Sequence, residues 1–187
     1  MKITQNLVIL LSLMGAPKLS AACKYNLDTR NVDFTWTGFK TPKKLGVSGK
    51  ITDIKLAPGK TASDAVAALE GMSFTINLNS VSSGDTVRDT RIGKILFKGS
   101  ETITGKLLKS DKEYLYFEIN HRKKGIQVPM KYSIVNNKIE ASAFMDLLDF
   151  AMDNNLAEFA KACAGRHEGK TWSDFKTDLV LNVKKSC

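Results

Sequence analysis

The chain has 187 residues, 28 basic against 19 acidic side chains, a net charge of +9 and 43% hydrophobic residues. That length supports one domain with a substantial core and is short for two. No apolar stretch reaches the roughly 20 residues of a membrane-spanning helix, and the basic charge fits either general solubility or attraction to an anionic head group or membrane surface.

The first segment begins Met1-Lys2, runs apolar from Leu7 to Met14 with an interruption at Ser12, meets Pro17 and ends Ser20-Ala21-Ala22. This is the layout of a signal peptide over residues 1–22, with small residues before the cut and Cys23 opening the mature chain. The expectation is an exported protein, periplasmic or secreted. A cysteine at the first mature position also raises lipid anchoring through Cys23, although Ser20 stands where a lipoprotein signal usually has an aliphatic residue. Cys23, Cys163 and Cys187 all survive cleavage, so in an oxidising compartment one thiol is left over or modified. If Cys23 is lipidated, Cys163 and Cys187 remain to pair; if not, Cys23 competes for either.

From Val32 the residues Val32, Phe34, Trp36 and Gly38 alternate with Asp33, Thr35 and Thr37, the period of a strand with one buried face. Similar runs recur at Val47–Leu56, Met72–Asn79, Glu101–Leu108, Glu113–Asn120, Gln127–Val135, Lys138–Met145 and Asp174–Val183, which gives eight candidate strands. Lys109-Ser110-Asp111-Lys112, Lys123-Lys124-Gly125 and Asn136-Asn137 read as hairpin turns. The last pair is the most specific, because Asn tolerates the left-handed backbone of a two-residue turn and apolar alternation flanks it on both sides.

Three joins read as short helices. Ser63 can cap a helix over Ala65–Leu69 that Gly71 ends; a second spans Asp85 to Leu96 with Val87 and Ile92 on its inner face; a third runs from Asp153 through Leu156, Phe159, Ala160 and Cys163 to Gly165. The fold class expected is all-β with short helices, an eight-stranded antiparallel barrel, since an even meander can close on itself and remove its exposed edges. Eight strands leave room for one slender ligand.

Phe34-Thr35-Trp36-Thr37-Gly38-Phe39 and Gly46-Val47-Ser48-Gly49-Lys50-Ile51 resemble the opening of YceI-like domains. Phe74 to Val81, then Ser83-Gly84-Asp85 and Arg88-Asp89, are similar to that family's next strand, acidic turn and Arg-Asp segment. Ala141 to Leu147 with Asp149-Phe150 resembles its penultimate strand and exit. Departures are Ile95-Leu96-Phe97, where the family favours paired aromatics, and a shortened stretch from Phe97 to Gly105. The resemblance covers nearly all of residues 23–187. It implies a lipocalin-like barrel, exported from the cytoplasm, whose members hold polyisoprenoid chains or other long lipids.

Side chains that share a face in such a barrel are Phe34 with Trp36, Phe74 with Ile76 and Leu78, and Leu115 with Phe117 and Ile119. Together with Ile92, Phe97 and Phe144 they are the candidate lining of a lipid tunnel, against the plainer possibility that they fill a solid core. An apolar chain gains about 25 cal/mol for each Å² removed from water, without direction, so selectivity for the head group falls to polar residues at the mouth. Arg88 and Arg91 are the candidates, although Arg88-Asp89 can equally be a local ion pair. No catalytic residue, metal site or cofactor other than a bound isoprenoid or lipid is expected: His121 and His167 lack a ligand spacing, no G-x-S-x-G elbow occurs, and the cysteines lack C-x-x-C spacing. The basic loops lack interleaved aromatics, which argues against nucleic acid. Peripheral membrane contact fits them, and the oligomeric state, a homodimer included, is left open. The rival reading is a non-catalytic structural or interaction module with a solid barrel core.

Overall fold

A computed structural model describes residues 22–98, 102–122 and 124–187. The expected signal peptide lies outside the described residues except for Ala22, as do Glu101 and Lys123. Ten strands form one antiparallel sheet, in the order β3-β4-β6-β7-β8-β9-β10-β1-β2-β5, curled into a half-barrel. They are β1 Lys24–Lys40, β2 Leu45–Ile51, β3 Ile54–Ala57, β4 Ser73–Asn77, β5 Val81–Ser82, β6 Thr102–Ser110, β7 Tyr114–His121, β8 Lys124–Val135, β9 Lys138–Asp146 and β10 Thr171–Ser186.

The expected count of eight in a closed barrel is therefore corrected to ten in a curled sheet whose terminal strands are β3 and β5. The reason is local. The run expected over Val47–Leu56 breaks at Thr52-Asp53, where side chains take over from the ladder. Ser80 Oγ accepts from Asp53 N at 2.9 Å, Thr52 Oγ1 donates to Ser80 O at 3.0 Å, and Asn77 Nδ2 donates to Asp53 Oδ2 at 3.1 Å. The chain bends there, so β2 pairs with β1 and β5 while β3 pairs with β4. Asn136 and Asn137 both have positive φ, 50° and 62°, and β8 pairs directly with β9 across them, as their sequence predicts.

Strands β1 and β10 are the longest pair. Their register slips between Leu27 and Val32, a bulge organised by the buried Asp28. Asp28 accepts from Asn31 Nδ2 at 2.7 Å and from Arg30 N at 3.2 Å, and Lys184 Nζ lies 3.1 Å away. These partners lower its pKa to about 2, the Asn31 hydrogen bond contributing most. Beyond the bulge Cys23 is bonded to Cys187, tying the ends of both strands together. Cys163 is left as a free, buried thiol.

The core packs against this end. Leu115, Ile139 and Leu181 are fully buried, and Ala68, Leu69 and Met72 close over them from the turn between β3 and β4. That turn was expected to be a helix capped by Ser63; it is a single 3₁₀ turn, Ala67–Leu69, and Asp64 caps it by accepting from Val66 N and Ala67 N. Helix α1, Thr86–Arg91, continues into a wider turn over Ile92–Leu96, and α2 spans Asp153–Cys163. Both lie at the opposite end of the sheet from the disulfide. Val87, expected on the inner face of α1, points outward and is 51% exposed, whereas Ile92 is buried. No helix among the described residues is long and apolar enough to cross a membrane.

Candidate ligand-binding site

Successive strand side chains point to opposite faces, and the inner face at the helical end surrounds a cavity of about 280 Å³, near the lower bound of pockets that hold a small organic molecule. Of the residues singled out from sequence, Phe34 and Trp36 of β1 line it, as do Phe74 and Ile76 of β4, Leu78 in the turn after it, and Phe117 and Ile119 of β7. Ile92 and Phe97, at the two ends of the wide turn after α1, contribute as well.

Two residues do not fit the expected lining. Phe144 is 67% exposed: on β9 the inward set is Ile139, Ala141, Ala143 and Met145, so period two turns Phe144 outward in phase with Glu140 and Ser142. Met145, its neighbour, is the one that reaches the cavity. Leu115 points inward but lies below the cavity floor, fully buried in the core with Ile139 and Leu181.

Two of the aromatic wall residues, Trp36 and Phe74, rest on glycines in the facing strands. Trp36 pairs with Gly49, where a Cβ would stand 2.5 Å from the indole, and Phe74 pairs with Gly105, where it would stand 2.2 Å from the ring. Glycine lets each ring lie flat across its neighbour strand. The Phe74 ring then meets Phe117 edge-on with centroids 6.0 Å apart. Neither glycine declares this role by itself in the sequence; the signal is the cross-strand partner, which needs the register.

Sequence reasoning also missed the roof and the far wall. Leu156, Phe159 and Cys163 of α2, Phe150 and Met152 before it, and Trp172, Phe175 and Leu179 of β10 all line the cavity. The i, i+3, i+7 spacing of Leu156, Phe159 and Cys163 marks an apolar helix face, but not what that face covers. Asn155 fixes α2 over the opening by donating to Leu96 O at 2.9 Å and Lys98 O at 3.0 Å.

The mouth is polar and cationic. Arg88 and Arg91 line it, joined by Lys40 at the end of β1 and Arg166 after α2. Arg88 and Asp89 do not pair with each other. Arg88 Nε donates to Ser83 Oγ at 2.7 Å and Asp89 accepts from Ser83 N at 3.0 Å, so both fix the start of α1 on Ser83. Asp85 caps that helix, accepting from Val87 N and Arg88 N, which holds its carboxyl below the usual range. Asp174 is paired with Lys44 at 2.6 Å. Lys40, Arg91 and Arg166 have no ion-pair partner among the described residues. Their fields converge on Cys163, opposing the burial that pushes its thiol up.

Two histidines border this end. His167 donates to or accepts from Thr171 Oγ1 at 2.7 Å, and burial, with Lys40 nearby, pushes its imidazole down. His121 is almost wholly buried, its Nδ1 2.9 Å from Phe150 O, and burial lowers its pKa further than the Phe150 hydrogen bond restores it. His121 Nε2 and Thr177 Oγ1 are buried without a partner among the described residues.

Neither a family model nor a curated protein matches the sequence. Solved structures do match its shape. A polyisoprenoid binding domain from Saccharophagus degradans superposes with a TM-score of 0.59 at 12% identity, over 87% of this chain and 98% of that one. BcnA of Burkholderia cenocepacia gives 0.56 at 11% identity over 84% and 99%. The YceI protein of Campylobacter jejuni gives 0.51 at 13% identity over 75% and 85%. At such identities the likeness concerns backbone architecture alone. This chain therefore has the YceI-like fold.

Proposed function

We propose that the protein is an exported, non-catalytic carrier that holds a long apolar amphiphile, a polyisoprenoid, quinone-like or fatty molecule, with its chain in the cavity and its head group at the mouth. The observation that carries this reading is an apolar cavity of about 280 Å³, open at one end, with unpaired cations at the opening and a packed floor at the other. The wall supplies undirected attraction in proportion to the area removed from water, and the cations Lys40, Arg91 and Arg166 supply the polar selectivity at the rim. The likeness of the fold to a polyisoprenoid binding domain of S. degradans supports the same class of cargo. The basic mouth would also favour brief contact with an anionic membrane surface.

Lipid extraction and mass spectrometry of protein purified from its native compartment is expected to return one long-chain species in near-stoichiometric amount. A ligand that binds only the folded state raises stability by about 2.7 kcal/mol at a hundredfold excess over Kd, so a matching isoprenoid raises Tm. Protein that carries no lipid, and whose Tm no isoprenoid or fatty amphiphile moves, would end this reading.

A further inference from the structure

The cavity wall is apolar except at a few places, and one of them fixes a direction of hydrogen bonding. A carbonyl oxygen only accepts, so the 2.9 Å contact between His121 Nδ1 and Phe150 O puts the proton on Nδ1. The ring is held at that edge by the carbonyl and at its face by the Phe150 ring, 6.2 Å away and nearly perpendicular. In the neutral imidazole, the form that burial favours, Nε2 is then a bare acceptor. It lies on a residue that borders the cavity and is only 3% exposed, and no donor among the described residues reaches it. Buried polar atoms in native proteins rarely go unpaired. Thr177 Oγ1, on β10 and also lining the cavity, is unpaired too, but a hydroxyl can turn to donate or accept and does not discriminate between ligands. His121 Nε2 does.

We propose that His121 Nε2 receives a hydrogen bond from a hydroxyl of the bound amphiphile, so that the cargo is a long-chain alcohol in preference to a hydrocarbon, an ether or a carbonyl compound of the same chain. This rests on the apolar-ligand reading above and adds the chemistry of the polar end. His121 closes β7 at the cavity's open end, against the Phe150 ring, which in turn packs on Phe175 with centroids 6.4 Å apart. A chain that enters through the mouth therefore places its last polar group, not its middle, at this level.

The test compares geranylgeraniol with its methyl ether, which keeps the chain and the oxygen acceptor and carries a methyl group in place of the donor hydrogen. Wild-type protein binds the alcohol about tenfold more tightly than the ether, the worth of one buried neutral hydrogen bond. In His121→Phe, which keeps a ring of similar size and removes Nε2, the two affinities become equal, and the ratio within one variant does not depend on how stable that variant is. In wild-type protein labelled with ¹⁵N-histidine, the unprotonated Nε2 resonance of His121 moves upfield on adding the alcohol and stays in place with the ether. Equal affinities in wild-type protein, or a preference that survives His121→Phe, overturn the proposal and leave the carrier reading standing. Binding of neither compound also overturns the proposal, whereas the carrier reading stands or falls with the lipid extraction and the wider Tm panel.

Discussion

The closed and open ends of the sheet are built from one alternating pattern and differ in what the connecting segments lay over it. Strand β7 passes through both: Leu115 is locked in the core, Phe117 and Ile119 border the cavity, and His121 stands beneath the helical roof. At the closed end the turn carrying Ala68 and Leu69 drops into the space between the strands, and the Cys23–Cys187 bond ties β1 to β10. At the open end α2 spans the gap from the rim without filling it. Inward periodicity thus selects a face, and the loops decide whether that face becomes core or wall.

The largest effect that follows is at the floor. Leu115→Ala leaves a hole among side chains that cannot collapse, and should lower unfolding stability by about 3 kcal/mol, read from urea denaturation. Phe34→Ala, on the half-buried cavity wall, borders space that already exists and should cost less than half as much while weakening lipid binding more. The comparison breaks if the two variants lose stability equally, because the cavity would then be packed as tightly as the floor.

How much of this was legible in the sequence follows the same division. Each run with strict alternation became a strand, and Asn136-Asn137 announced its turn, because these signals are local. The break at Thr52-Asp53 was hidden, since Ser80 and Asn77, which cause it, come more than twenty residues later. Phe144 was misplaced because its immediate neighbours Ala143 and Met145 are as apolar as it is, so the phase of that strand had to be set by Glu140 and Ser142. The cationic mouth was only half visible: Arg88 and Arg91 sit in a recognisable segment, whereas Lys40 and Arg166 reach it from 126 residues apart through the pairing of β1 with β10.

A smaller effect separates the two ends by pH. His121 and His167, at the open end, are pushed by burial below the ordinary imidazole value of 6.5. The unfolded chain then binds more protons than the folded chain between those lowered values and 6.5, so their contribution is complete above 6.5 and fades as pH falls through the folded values. Asp28, at the closed end, titrates at about 2 in place of 3.8, so its contribution is complete above 3.8 and fades only as pH drops toward 2. Calorimetric scans should show Tm falling as pH drops below 6.5, and His121→Phe should flatten that part of the profile without touching the drop below about pH 4. A Tm that holds constant down to about pH 4 would mean that neither imidazole is buried in its neutral form.

The smallest effect is expected on the outer surface. Phe144 is the most exposed large apolar side chain among the described residues, at 67%, and its cross-strand partner on β10 is Lys176. Its ring therefore gives up little contact with water on folding, and its replacement removes no packed neighbour. Phe144→Ser should change unfolding stability by no more than about 0.5 kcal/mol and leave the alcohol-to-ether ratio as in the wild type. The neighbouring Met145→Ser, one residue along and turned to the cavity, should cost more in both measurements, because it places a hydroxyl on an apolar wall with no assured partner. If instead Phe144→Ser is the more damaging of the two, the ring is covered in solution by something beyond this chain, and the inside and outside of β9 would have to be exchanged.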